Sequence, residues 1–389
     1  MKRKKLTASM IALVMSVSLP MTTYAANWYL EDGSVTVNAD NSGQTVTQGS
    51  GSAVPDEAPV ITQRESSVET GNTITINAAE NATANVTISD VNINTSDAAV
   101  STSGKGNVNI ELDGTNTLKS GVNHAGLEKN SDGNQGKLTI TDENENGKLI
   151  ATGGNGAAGI GGGLYAGGND ITIIGGEITA TGGECGAGIG GGFYTGGNDI
   201  TIAGGKVTAT GGDYGAGIGG GFFGNGNDIT ITGGKVTATG GDYGAGIGGG
   251  NQGNGSNITI TDGEVAATGG TNGAGIGGGL RKNGEKITVS GDATLKVQGG
   301  PTDTWDGAGA GIGNGGSHNG EFSGSFIPVN GAETEPDTSN LTTGKIEYYA
   351  PGADMTKDEP TSTILGSGQP TSPGETAAPV EYRMQTSAS

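Results

Sequence analysis

The chain has 389 residues, 81 of them glycine, with 4% aromatic residues, one cysteine and a formal net charge of −21. Taking residues 1–25 as a leader removes four of 19 basic residues and none of 40 acidic ones, leaving 15 against 40, or −25. That balance speaks against nucleic acid and anionic membrane surfaces as partners, and one cysteine excludes an internal disulfide.

Residues 1–25 read as a secretory signal peptide: Lys2, Arg3, Lys4 and Lys5, an apolar run centred on Ile11-Ala12-Leu13-Val14-Met15, then the small-residue cleavage site Thr23-Tyr24-Ala25. The chain is therefore expected to be secreted or displayed at the cell surface. The apolar run is shorter than the roughly 20 residues a spanning helix needs, so no membrane insertion is expected. Residues 26–68 are read as an N-terminal cap and linker, with a loop near Gly49 to Pro59. Residues 69–152 are read as irregular coils, because the runs at 72–76, 85–88, 107–110 and 137–140 alternate apolar and polar residues.

From 153 to 316 the alternation becomes a tandem repeat. The block Gly-Ala-Gly-Ile-Gly-Gly-Gly places Ile160, Ile189, Ile218, Ile247 and Ile276 at 29-residue intervals, with Ile312 arriving late, after 36. Each unit holds three strand-like runs with glycine corners, as in Asn198-Asp199-Ile200-Thr201-Ile202, Lys206-Val207-Thr208-Ala209-Thr210 and Gly215-Ala216-Gly217-Ile218-Gly219. Successive strand side chains face opposite ways, so Ile200, Ile202, Val207, Ala209, Ala216 and Ile218 share one side. A unit this short cannot cover its own apolar side and must stack on its copies. The predicted fold is all-β: a right-handed parallel β-helix, or solenoid, with 29-residue coils. A propeller is the rival, but its blades need about 40 residues. Residues 317–389 turn rich in Pro, Ser, Thr and acidic residues, predicting a flexible C-terminal tail with one residual strand at 346–349.

The run Leu112-Asp113-Gly114-Thr115-Asn116-Thr117-Leu118, then Asn123-His124-Ala125-Gly126-Leu127-Glu128, followed by the Ile-Thr-Ile and Gly-Ala-Gly-Ile-Gly-Gly-Gly repeats, carries a resemblance. It resembles the secreted, glycine-rich parallel β-helix surface proteins of anaerobic bacteria, described as carbohydrate-binding-domain or adhesin-like. The likeness covers roughly residues 70 to 316 and implies a cell-surface solenoid. Wall-sorting signals or wall-binding repeats are common in such proteins, and neither is present in this tail.

A residue repeated at one position of every coil becomes a ladder, and four ladders stand out. Asp170, Asp199 and Asp228, each after an asparagine, either bind calcium, which takes carboxylate and carbonyl oxygens, or simply turn the corner into the strand. Tyr165, Tyr194 and Phe223, with Tyr214 and Tyr243 at another corner, either stack on sugar rings or shield the coil corners. The Thr179/Thr181, Thr208/Thr210 and Thr237/Thr239 array resembles the ice-binding face of solenoid antifreeze proteins, although Ala266 interrupts it. Gly186, Gly188 and Gly190 are expected to face outward as a bare strip able to lie against a polysaccharide or a second copy. Cys185 shares its slot with Tyr214 and Tyr243, at an outward corner.

The chain past the leader has two histidines, His124 and His318, and three arginines, Arg64, Arg281 and Arg383. No nucleophile-histidine constellation falls in the repeat, so no catalytic residues are assigned and no enzyme is expected. The expected role is binding of polysaccharide or host glycan through a repetitive surface, with calcium as the one cofactor considered. The alternative is a self-associating structural protein; a polysaccharide lyase or hydrolase and an ice-binding protein rank below.

Overall fold

The structure, a computed structural model, describes residues 26–129, 136–319 and 327–368. The signal peptide expected at 1–25 lies outside the described residues, as does 369–389. The fold is an all-β parallel solenoid of about nine turns with about 29-residue coils. Among the described residues no helix is long and apolar enough to cross a membrane.

Each regular coil gives one strand to each of three parallel sheets. In one unit these are Gly197–Ile202, Lys206–Thr210 and Ile218–Gly219. They pair in register with Gly226–Ile231, Lys235–Thr239 and Ile247–Gly248 of the next coil. Register carries the repeat directly into space, so Ile218 stacks between Ile189 and Ile247. Ile200, Ile202, Val207, Ala209, Ala216 and Ile218 are all 0% exposed. Burying one isoleucine is worth roughly 1.5–3 kcal/mol, so columns of small aliphatic residues supply what an aromatic core supplies elsewhere. Since parallel strands are bonded on both edges along the stack, the repeat needs neighbours above and below, and its ends need covers.

Both ends are covered. At the N-terminal end Gly43–Gln48 lies antiparallel on Val35–Asp40, which in turn pairs with Ile74–Ala78. At the other end the residual strand expected at 346–349 is present, and the described residues around it, up to 368, depart from the expected flexible tail. Lys345–Tyr349 extends the second sheet from Thr294–Gln298, and Ser362–Leu365 folds back antiparallel on it. The Glu333 carboxylate accepts the N–H groups of Gly311 and Ile312 at 2.8 and 3.0 Å. The physical reason is the exposed cross-section of the stack: Leu341 and Ile346 bury themselves on it, at 2% and 0% exposure. Tail composition concealed this because only a few residues in it are apolar.

The glycine strip is the second correction. Gly186, Gly188 and Gly190 are buried. A Cβ on Gly186 would sit 1.9 Å from the Ala157 carbonyl oxygen. Gly190 has φ 130° and its Cβ would sit 2.1 Å from the Gly219 carbonyl oxygen and 3.2 Å from the Gly197 Cα. Backbone therefore closes over the whole strip, Ala157 against Gly186, Gly217 and Thr210 against Gly188, and Gly219 and Gly197 against Gly190, and the glycines let these layers of backbone touch. Gly186, Gly188 and Gly190 thus form no bare strip facing solvent for a polysaccharide or a second copy.

Candidate binding surface at an aromatic corner

Two tight turns per coil build one corner. In the first, the Gly186 N–H donates to the Gly183 carbonyl at 2.8 Å, with Glu184 and Cys185 at the tip. In the second, the Thr195 N–H donates to the Gly192 carbonyl at 3.2 Å, with Phe193 and Tyr194 at the tip. Adjacent rungs lock the two turns together: Phe222 donates its N–H to the Cys185 carbonyl, and Asn251 to that of Tyr214, both at 2.9 Å. From their spacing Tyr214 and Tyr243 are expected at a separate corner. The structure merges them with the other rings, because this inter-turn bonding sets the Tyr214 and Phe222 rings 5.1 Å apart.

The outer column is Tyr165, Tyr194 and Phe223, continued by Gln252 and Arg281. Neighbouring ring centroids lie 6.2 Å apart for Tyr165 and Tyr194 and 5.1 Å for Tyr194 and Phe223. The rings are 64%, 55% and 38% exposed. Beneath them Phe193 and Phe222 stack at 5.6 Å, half-buried, and act as the floor. Tyr214 and Tyr243 stack beside them at 6.3 Å, 8° from parallel. All three outer aromatic residues adopt left-handed backbone, with φ of 59°, 63° and 61°. Glycine or asparagine fills such positions most cheaply, and a bulky side chain there costs about 1–2 kcal/mol. Rings are retained where strain argues against them.

The first turn sets Glu184, Asp213 and Asp242 on successive rungs, immediately before Cys185, Tyr214 and Tyr243, and all three are exposed. This column is a further ladder, absent from the four above, that the same 29-residue period displays. Its field reaches the corner. Burial, followed by Glu184 and Asp213, raises the Cys185 thiol above its ordinary pKa, and burial, followed by Asp303 and Asp242, raises the Tyr243 hydroxyl. Cys185 itself is half-buried at the turn tip.

The aspartate ladder lies on the first sheet, away from this corner in the coil. Asp170, Asp199 and Asp228 line a shallow open groove of about 330 Å³ together with Lys137, Asn257 and a row of threonines. Pairing runs Asn198 to Asn227 and resumes at Ile200 to Ile229, so Asp199 and Asp228 stay opposite one another in unbroken register and make no bridge of their own. Their φ values are both 54°, as is that of Lys286 two rungs on. The ladder is thus a left-handed kink repeated at one position of each strand, and aspartate suits that backbone. Its charges repel: burial, then Asp170 and Asp228, pushes the Asp199 carboxyl above its usual range. Among the described residues no three His, Cys, Asp or Glu side chains gather into a metal-holding group. The asparagines in front form an amide ladder, the Asn198 N–H reaching Asn169 Oδ1 at 2.9 Å.

On the second sheet Thr179, Thr208 and Thr237 are in register and give way to Ala266. Both histidines face carboxylates, His124 Nδ1 lying 3.0 Å from Glu128 Oε2 and His318 Nδ1 2.8 Å from Asp306 Oδ1. Asp306 is buried and also takes Nε and Nη2 of Arg281 at 2.9 and 2.7 Å. Burial alone would raise its carboxyl; Arg281 and His318 bring it below the usual range. No local sequence signal marks this cluster, since Asp306 lies in the insertion that delays the last repeat.

Over residues 145–164, 171–193, 200–222, 229–251 and 258–280 the chain is similar to a family described as Beta helix repeat. No curated protein and no solved structure matches it. Each matched segment after the first opens on a first-sheet isoleucine, and all five close on the column under the outer row, at Leu164, Phe193, Phe222, Asn251 and Leu280. Repeat similarity and three-sheet geometry agree: this is a parallel β-helix protein whose regular rungs resemble that family.

Proposed function

We propose that this chain is an extracellular carbohydrate-binding, adhesin-like solenoid that holds polysaccharide along its aromatic corner. The observation that carries the reading is the outer row itself, three exposed rings on successive rungs at left-handed positions. Strain kept at a site is a pointer to function. Rigid rings present area to a pyranose face at low entropy cost, and equivalent rungs engage a repeating polymer many times over. Such a row supports binding without turnover, since the chemistry it offers is the same on every rung. Calcium at Asp170, Asp199 and Asp228 is proposed as a separate site on the first sheet, away from the aromatic corner, with its own readout below.

The full chain, with its processed N-terminus mapped by mass spectrometry of the culture medium, should be applied to a glycan array with calcium and again with chelator. Binding that falls at least ten-fold in a Tyr165→Ala/Tyr194→Ala double variant of unchanged circular dichroism supports the corner. Loss on chelation, reproduced by Asp199→Ala plus Asp228→Ala, supports the calcium site. Silence on every glycan in both buffers overturns the carbohydrate reading.

A further inference from the structure

We infer that the polymer held at this corner is a cationic one, built of sugars with free amino groups, its rings lying on the aromatic row and its ammonium groups on Glu184, Asp213 and Asp242. The inference rests on the carbohydrate-binding reading and names the ligand class of that same surface.

The three carboxylates occupy one turn position on successive rungs, and rungs stack about 4.8 Å apart. Like charges at that spacing are destabilising. On the second sheet the chain avoids the problem: Lys206 pairs with Glu177 at 2.8 Å and Lys235 with Glu264 at 2.9 Å, each across one rung. Beside the rings it does not. Among the described residues Glu184, Asp213 and Asp242 make no ion pair; Glu184 accepts the Asn155 amide at 2.6 Å and Asp242 the Thr271 hydroxyl at 3.3 Å. Nor does a left-handed backbone explain them, as it explains Asp199.

A cation supplied from outside answers both halves of the surface. Ring faces attract cations, most strongly where water is displaced, and the carboxylates lie beside the Tyr214 and Tyr243 stack. A neutral glycan would satisfy the rings and leave the carboxylates repelling one another. A basic peptide would satisfy the carboxylates, but it has no flat face to place on each rung. An amino-sugar polymer brings a flat ring and an ammonium together at every residue, and a net charge of −25 beyond the leader steers it in.

The test measures binding of the full chain to four probes by calorimetry: a β-linked glucosamine oligomer, its N-acetylated counterpart, a glucose oligomer of equal length and polylysine. The expected result is at least ten-fold tighter binding of the free-amine oligomer than of the N-acetylated one, with the advantage shrinking as salt screens it. Asp213→Asn/Asp242→Asn should erase that advantage and leave the N-acetylated affinity unchanged, whereas Tyr194→Ala should weaken both. Equal or tighter binding of the neutral oligomers overturns the amino-sugar inference and leaves the carbohydrate reading standing. Polylysine binding as tightly as the amine oligomer, with no loss in Tyr194→Ala, also overturns it. Failure of all three sugar oligomers, with the array silent as well, removes the carbohydrate reading beneath it.

Discussion

The rings of Tyr194 and Phe223 lie 5.1 Å apart and 6° from parallel, one rung above the other, each on a residue whose backbone is left-handed. Ring contact and backbone strain therefore oppose one another at the same positions. Stacked aromatic pairs contribute about 0.5–1.5 kcal/mol each. Tyr194→Ala loses the contacts and keeps the strain, so it should destabilise the fold by about 1–2 kcal/mol in urea titration. Tyr194→Gly loses the contacts but relieves the strain, and should fall within about 1 kcal/mol of the parent. Glycan affinity should drop in both. A Gly variant as costly as the Ala variant would show that strain is not stored there.

The isoleucine column should respond quite differently. Ile218 is fully buried between Ile189 and Ile247. Ile218→Ala leaves a cavity that fixed parallel strands cannot close, costing about 2–5 kcal/mol. Because each rung touches only its neighbours, Ile247→Ala should cost about the same. Urea midpoints of the two variants that differ widely would contradict the nearest-neighbour picture.

Glycines in the block should be intolerant while others are free. Gly190→Ala demands a Cβ 2.1 Å from the Gly219 carbonyl oxygen at φ 130°, and should prevent the coil from closing there, seen as loss of amide-exchange protection around Ile189 and Ile218. Gly71, with nothing within 4 Å of its own Cβ position, is the control. Gly71→Ala should gain up to about 1 kcal/mol by restricting the unfolded chain.

The aspartate ladder gives a pH dependence whose sign can be worked out. Burial and the neighbouring Asp170 and Asp228 raise the folded-state pKa of Asp199 above its unfolded value. The unfolded state therefore releases this proton first as pH rises, and stability falls between the unfolded and the folded pKa. The penalty is complete above the folded pKa and gone below the unfolded one, near pH 3.9. Asp199→Asn should accordingly raise Tm at pH 7 and lose its advantage as the solution is acidified towards pH 3. An advantage that grows on acidification would reverse the assignment.

What the sequence determined by itself was the coil. In a solenoid the spatial neighbour of a residue is its own copy one period later, so a 29-residue repeat is already a contact map, and alternation alone sends Ile200, Val207 and Ile218 to the core. The ladders of Asp199 and Tyr194 were legible for the same reason. Three-dimensional contacts took over where alternation ceases to apply. Left-handed residues at Asp199, Tyr194 and Phe223 break the two-residue period, and the backbone roof over Gly190 buries a strip that alternation would expose. Bonding between two turns, such as Phe222 to Cys185, brought both aromatic sets and the Glu184–Asp213–Asp242 column to one corner. Pairing of the two capping strands joined residues far from the repeat to its end. A period records which residues stack, since stacking follows chain order; it carries no information on how the corners fold sideways, because that depends on φ angles and on contacts between turns within and between rungs.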